Sequence, residues 1–118
     1  MIEKLPQHFV LSKTVARARQ YGHPLVALES AVITHGLPYP QNREIALAME
    51  AAVRESGTNP ATIALLEGKI CIGLDEDQVE SLATSEMVRK ISLRDFGIAV
   101  AGGLSGGTTV AATLFAAD

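Results

Sequence analysis

Glu29 is a lone carboxylate inside the apolar run Leu25 to Ile33 (LVALESAVI). A carboxylate carried into an apolar layer must find partners or keep its proton, and either outcome moves its pKa, so a proton donor is one reading. The other reading is a side chain that escapes to water at a strand end, as most acids do. Directly after the run comes Thr34 to Gln41 (THGLPYPQ), which holds Gly36, Pro38 and Pro40 and reads as a stiff loop. Ligands of open α/β sheets gather beyond the carboxyl ends of strands, which would place Glu29, Ser30 and His35 in one cleft. His35 suits acid–base work or a hydrogen bond to loop backbone, and no acid or Cys is spaced beside it to complete a metal site.

Two further segments suit an anion. In Val88 to Asp95 (VRKISLRD) basic residues alternate with apolar ones, so Lys90 either faces something anionic, a phosphate for example, or belongs to a solvated charge run. Gly102 to Thr109 (GGLSGGTT) sets four glycines and two threonines ahead of an apolar stretch. Such a segment can cradle a phosphate with backbone amides at a helix start, or simply permit close packing. It lacks the Gly-Lys-Ser/Thr ending of a phosphate-binding P-loop and makes no GxGxxG fingerprint.

These residues need elements to hold them. Ser12 as cap and Gly22 as stop bound a short helix, and Leu25 to Ile33 reads as a strand buried on both faces. Asn42 is placed to cap a helix through Ser56 whose apolar face is Ile45, Ala48, Met49, Ala52 and Val53. Ala61 to Leu66 and Ile70 to Ile72 read as a hairpin around Glu67-Gly68-Lys69. Asp75 with Gln78 makes a capping box, with Leu74 and Val79 as its hydrophobic staple, and Ser92 with Asp95 repeats the box ahead of a helix from Leu93 to about Ala101. After the glycine loop, Thr108 to Ala117 reads as a helix apolar on nearly every side, of the kind normally enclosed in a larger protein. With no Gly cap, terminal cation or polar tail after it, the expectation is a truncated chain.

The 118 residues suit one domain, and 47% hydrophobic against 19% charged residues is enough for a real core. A formal charge of −3 without a basic stripe argues against a nucleic-acid polymer as partner. No apolar run nears the roughly 20 residues of a bilayer span, and Met1 to Val10 lacks the apolar core of a signal peptide, so the reading is cytoplasmic with no membrane partner. The single Cys71 allows no internal disulfide and no paired-Cys metal knuckle. The fold class expected is α/β: a mixed, largely buried sheet flanked by helices, as an incomplete domain.

Four ordered blocks carry a family resemblance: Glu29 to Asn42 (ESAVITHGLPYPQN), Pro60 to Ala64 (PATIA), Lys90 to Asp95 (KISLRD) and Gly106 to Ala111 (GGTTVA). Together they resemble the pseudouridine-5'-phosphate glycosidase family, also called indigoidine synthase A-like. The resemblance runs from about Leu25 to the end. It implies residues 1–24 as a lead-in helix and linker, and residues 25–118 as the N-terminal part of a glycosidase domain. It implies reversible cleavage of the carbon–carbon glycosidic bond of pseudouridine 5'-phosphate to uracil and ribose 5-phosphate, with a manganese ion bound and a homotrimeric assembly. Glu29 matches the family's proton donor, and Lys90 and Val110 match substrate contacts. Ala31 stands where the family usually has Thr, Ser105 where Asn is frequent, and Leu93 where a second Arg is frequent. The family's metal-binding aspartate and nucleophilic lysine have no match in this chain, since neither Lys69 nor Lys90 sits in that lysine's motif. The expectation is therefore an inactive isolated chain, with a non-catalytic phosphosugar-binding or assembly module as the alternative.

Overall fold

The computed structural model describes residues 8–117. Their elements, in order, are β1 (Phe9–Leu11), α1 (Lys13–Tyr21), β2 (Leu25–Leu28), a π-helical turn (Val32–Gly36), α2 (Gln41–Glu55), β3 (Asn59–Leu66), β4 (Lys69–Ile72), α3 (Glu76–Thr84), β5 (Arg89–Ile91), a 3-10 turn (Leu93–Asp95), α4 (Phe96–Ala101), β6 (Gly106–Thr108) and α5 (Val110–Ala117). The sheet runs β1-β4-β3-β6-β5, with β2 also on β3. It is mixed: β3 is antiparallel to β4 and β6, while β1 on β4, β2 on β3 and β5 on β6 are parallel.

β3 is the spine of the molecule, and its alternation explains the two-sided core. Ile63 and Leu65 face one layer, where they join Ile91, Phe96, Ala99, Ala112 and Ala116 from β5, α4 and α5. Ala64 faces the other, with Ile33, Ala46, Leu74, Val79 and Leu82 from the π turn, α2, the loop before α3 and α3 itself. The expected α/β class, a mixed and largely buried sheet flanked by helices, is what the chain forms. The hairpin forms as expected: Glu67 (φ 49°) and Gly68 (φ 79°) make its two-residue turn, and a Cβ on Gly68 would lie 2.9 Å from the Val100 carbonyl. Ser12 caps α1, with Gly22 closing it, and both capping boxes are present.

Five expectations need correction. The apolar run from Leu25 is a strand only to Leu28, and Leu25 and Val26 are each 37% exposed. At Ser30 the chain coils instead, because the Ser30 carbonyl accepts the amides of Ile33 (3.0 Å) and Thr34 (3.4 Å), and Ile33 buries itself as a helical residue. Part of the expected loop after Ile33 is thus helical. Asn42 does not cap α2: the helix begins at Gln41 after Pro40, and its buried stripe is Asn42, Ala46 and Glu50, with Ile45, Ala48 and Ala52 turned out. Polar side chains took the inner face because each has a partner there, described below.

The other two corrections concern the later segments. Leu93 to Ala101 is a 3-10 turn followed by α4 rather than one helix, the capping box serving the 3-10 turn. Gly106 to Thr108 is a strand, not a loop, and α5 starts at Val110. α5 buries Ala112, Thr113 and Ala116 and leaves Val110, Leu114 and Phe115 exposed, as expected of a helix apolar on all sides.

Candidate functional site

β2 and β6 lie along β3 and meet end to end. β2 pairs as far as Leu28 with Thr62, and β6 pairs Gly107 with Ala64, so the carboxyl ends of both strands converge at Ile63 between them. Glu29 leaves one strand at this junction and Val110 begins α5 just beyond the other. The seam is closed by hydrogen bonds: the Ser30 amide donates to the Thr108 carbonyl at 3.1 Å, and the Thr108 amide donates to Ser30 Oγ at 2.8 Å.

Glu29 is half-buried, and its Oε2 accepts the Ala31 amide at 3.0 Å, which folds the carboxylate over the entrance to the π turn. It lies at a strand end rather than inside a buried strand. Ser30 does not share a cleft with it, since Ser30 is wholly buried and its hydroxyl donates to the Ile63 carbonyl. That hydroxyl is structural.

Gly107 sets the height of the π turn above the sheet. A Cβ there would lie 2.5 Å from both the Ser30 carbonyl oxygen and Thr34 Oγ1, so only glycine lets this turn settle onto β6. His35 follows Thr34 and so reaches the neighbouring strand, β5. There His35, Arg89, Lys90, Asp95, Ile98 and Leu104 line a cavity of about 390 Å³. The imidazole Nδ1 lies 2.6 Å from Thr34 Oγ1, which holds the ring's orientation.

Lys90 is exposed and its backbone pairs with Gly107. Arg89 and Lys90, adjacent on β5, both line this cavity, so positive charge stands beside it, with Asp95 as a counterweight. Asp95 is occupied elsewhere: the Ser92 hydroxyl (2.5 Å) and amide (3.0 Å) both donate to Oδ2 and hold its carboxyl below the ordinary carboxylate range. On the far side of the π turn, the Tyr39 hydroxyl donates to Glu80 Oε1 at 2.8 Å while Arg43 Nε pairs with Glu80 Oε2 at 2.6 Å, fastening the proline-containing loop to α3. The hydrogen bond to Glu80 pushes the Tyr39 hydroxyl above its usual range. Among the described residues no group of three or more His, Cys, Asp and Glu is placed to hold a metal ion, and no helix is long and apolar enough to cross a membrane.

The family model described as "Indigoidine synthase A like protein" matches residues 14–118. The chain belongs to this family. Among its relatives, the pseudouridine-5'-phosphate glycosidase of Herpetosiphon aurantiacus is 54% identical over 109 residues, 92% of this chain and 36% of that protein. The enzyme of the same name from Deinococcus radiodurans is 49% identical over 112 residues, 95% of this chain and 36% of its own length. The chain thus spans about 36% of the length of these relatives. Among solved structures, the prealnumycin C-glycosynthase AlnA in complex with ribulose 5-phosphate superposes with a TM-score of 0.82 at 41% identity, over 96% of this chain and 36% of AlnA. An indigoidine synthase A-like protein from Thermotoga maritima gives a TM-score of 0.79 at 32% identity, over 98% and 38% of the two chains.

Within this indigoidine synthase A-like fold, sequence reasoning singled out Glu29, His35, Lys90 and Val110 but grouped Glu29 with Ser30 and His35, whereas the cavity that His35 lines includes neither Glu29 nor Ser30. His35 and Lys90 share a cavity, and Glu29 and Val110 share the strand junction. It also missed Thr108 and Thr113, whose buried hydroxyls are bonded to each other at 2.7 Å. The one available signal was Gly106-Gly107-Thr108-Thr109, where two side-chain-free residues precede two hydroxyls in a stretch that turned out to be a strand.

Proposed function

We propose that this chain carries the proton-donating and phosphosugar-contacting part of a pseudouridine-5'-phosphate glycosidase site. In this reading Glu29 is the proton donor and Lys90 and Val110 contact the substrate. Residues 25–118 are then the N-terminal part of the glycosidase domain, with residues 1–24 leading into it. The observation that carries it is the head-to-head meeting of β2 and β6, which sets Glu29 beside the start of α5 and pairs the backbone of Lys90 to the same β6. The ribulose 5-phosphate bound by AlnA supports a sugar phosphate as the ligand class.

The chemistry asks for these groups. When a carbon–carbon glycosidic bond breaks, its electron pair stays on the nucleobase carbon, which must take a proton, and the sugar carbon must be met by a nucleophile. Glu29 in its acid form gives that proton in cleavage and removes it again in the reverse direction. Arg89 and Lys90 bring positive charge to the phosphate, and the first turn of α5 at Val110, whose Ala112 amide donates to Thr109 Oγ1, turns the positive end of a helix toward it. No lysine here matches the family's nucleophile, so the isolated chain is read as binding without turnover. The manganese that the resemblance attributes to the family has no donor set among the described residues. A cytoplasmic location and a homotrimer complete the proposal.

The test is titration of the ¹⁵N-labelled chain with ribose 5-phosphate. The expected result is perturbation of the Lys90 and Val110 amides, lost in Lys90→Ala. In a chain extended to the relatives' length, Glu29→Gln is expected to spare binding and abolish uracil release from pseudouridine 5'-phosphate. Undiminished release by that variant sinks the assignment. A phosphosugar-binding module without turnover is the second reading, favoured by the Arg89 and Lys90 cavity. It predicts binding with no uracil release even in the extended chain.

A further inference from the structure

We propose that Ser30, Thr108 and Thr113 are positioning residues that hold Glu29 and the Val110 end of α5 in one fixed relation. The inference rests on the reading that these two residues face the substrate.

One backbone carbonyl of β3 has no strand partner at the junction. Ile63 lies between the last residue of β3 paired to β2, Thr62, and the first paired to β6, Ala64. Its carbonyl has a gap in the ladder beside it, and a buried carbonyl without a partner is costly. Two hydroxyls fill the gap: Ser30 Oγ donates at 2.5 Å and Thr108 Oγ1 at 2.8 Å. Each hydroxyl has a single proton, and both are spent on Ile63. Their own lone pairs then accept, Ser30 Oγ from the Thr108 amide at 2.8 Å and Thr108 Oγ1 from the Thr113 hydroxyl at 2.7 Å. The 3.3 Å approach of Ser30 Oγ to Thr108 Oγ1 consequently carries no proton.

This leaves one proton arrangement for a closed chain running from α5 through β6 and the β3 carbonyl to the residue after Glu29. Ser30 and Thr108 are fully buried and Thr113 is 5% exposed, so water does not loosen it. A satisfied buried network of this kind admits one geometry, whereas apolar side chains in the same space would fill it without fixing direction. Glu29 adjoins Ser30, and its carboxylate is already tied to the Ala31 amide, so its placement follows the seam.

The test uses the 118-residue chain. Ser30→Ala and Thr113→Ala are compared with Thr62→Val, which removes another buried hydroxyl from β3 whose partner is Glu50, at 2.6 Å. Without ligand, Thr113→Ala is expected to shift the amide resonances of Glu29 to Ala31, Ser30→Ala those of Val110 to Ala112, and Thr62→Val neither set. Affinity for ribose 5-phosphate is expected to fall about tenfold in the first two variants, as for a misplaced binding group. It should be unchanged in Thr62→Val and restored in Thr113→Ser. Shifts confined to each mutated segment, or equal loss of affinity in Thr62→Val, overturn the proposal. Where Ser30→Ala does not fold, the Thr113→Ala and Thr113→Ser pair decides, because Thr113 lies on α5 outside the sheet. A wild-type chain that binds no ribose 5-phosphate refutes the site reading, and the ligand-free shifts then decide the positioning by themselves.

Discussion

Asn42 Nδ2 donates to two carbonyls at once, that of Ile33 in the π turn and that of Ala83 near the end of α3, each at 2.9 Å. One buried amide therefore ties the segment after Glu29 to the helical layer beneath it. Asn42→Asp would replace a double donor by an acceptor and leave both carbonyls without this partner. The expected loss is about 3 kcal/mol of unfolding free energy, read by urea titration. A loss of only a few tenths would mean that the clamp does not hold the turn.

Glycines at two positions should respond in opposite directions. Gly107→Ala places a methyl 2.5 Å from both the Ser30 carbonyl oxygen and Thr34 Oγ1, and should cost about 3 kcal/mol or more. Gly97 lies within α4 with nothing within 4 Å of the added carbon, so Gly97→Ala should stabilise by about 0.5–1 kcal/mol. Thermal midpoints of the two variants measure both, and a shift of the same sign in each would contradict the packing described.

The Ser92–Asp95 box makes part of the chain's stability depend on pH. Asp95 is depressed in the folded state by the two Ser92 hydrogen bonds, so the unfolded chain binds its proton more readily. Its contribution is complete above the ordinary carboxylate pKa and is lost as pH falls through that value to the lowered one. Denaturant titrations over an acidic series should show wild type losing more stability than Asp95→Asn across this window. Parallel curves would remove the box from the account.

Cys71 is buried, and burial pushes its thiol above the usual range. At neutral pH the folded chain should react with a thiol-directed disulfide reagent far more slowly than the urea-unfolded chain, with the reactive thiolate scarce and shielded. A native rate close to the unfolded one would show that β4 opens freely.

Local grammar was legible in the sequence. Ser12 and Gly22 around α1 and the Asp75–Gln78 box depend on residues a few positions apart, so their hydrogen bonds form wherever the segment is placed. The types of the candidate residues were legible too: a lone acid in an apolar run, a basic alternation, and paired glycines before paired threonines.

What the tertiary structure alone decided was how distant segments meet. Leu25 to Ile33 has the hydrophobicity of one long strand, yet it stops at Leu28 because β6 takes up the next stretch of β3 and Ser30 must bond across to Thr108, 78 positions along the chain. α2 turned Asn42 and Glu50 inward because the Ile33 and Ala83 carbonyls and the Thr62 hydroxyl await them there. His35 reached the cavity of Lys90 because Gly107 has no side chain to hold the π turn away. Periodicity records how apolar each residue is. Partners for buried polar groups, and room for close backbones, exist only once the sheet has assembled.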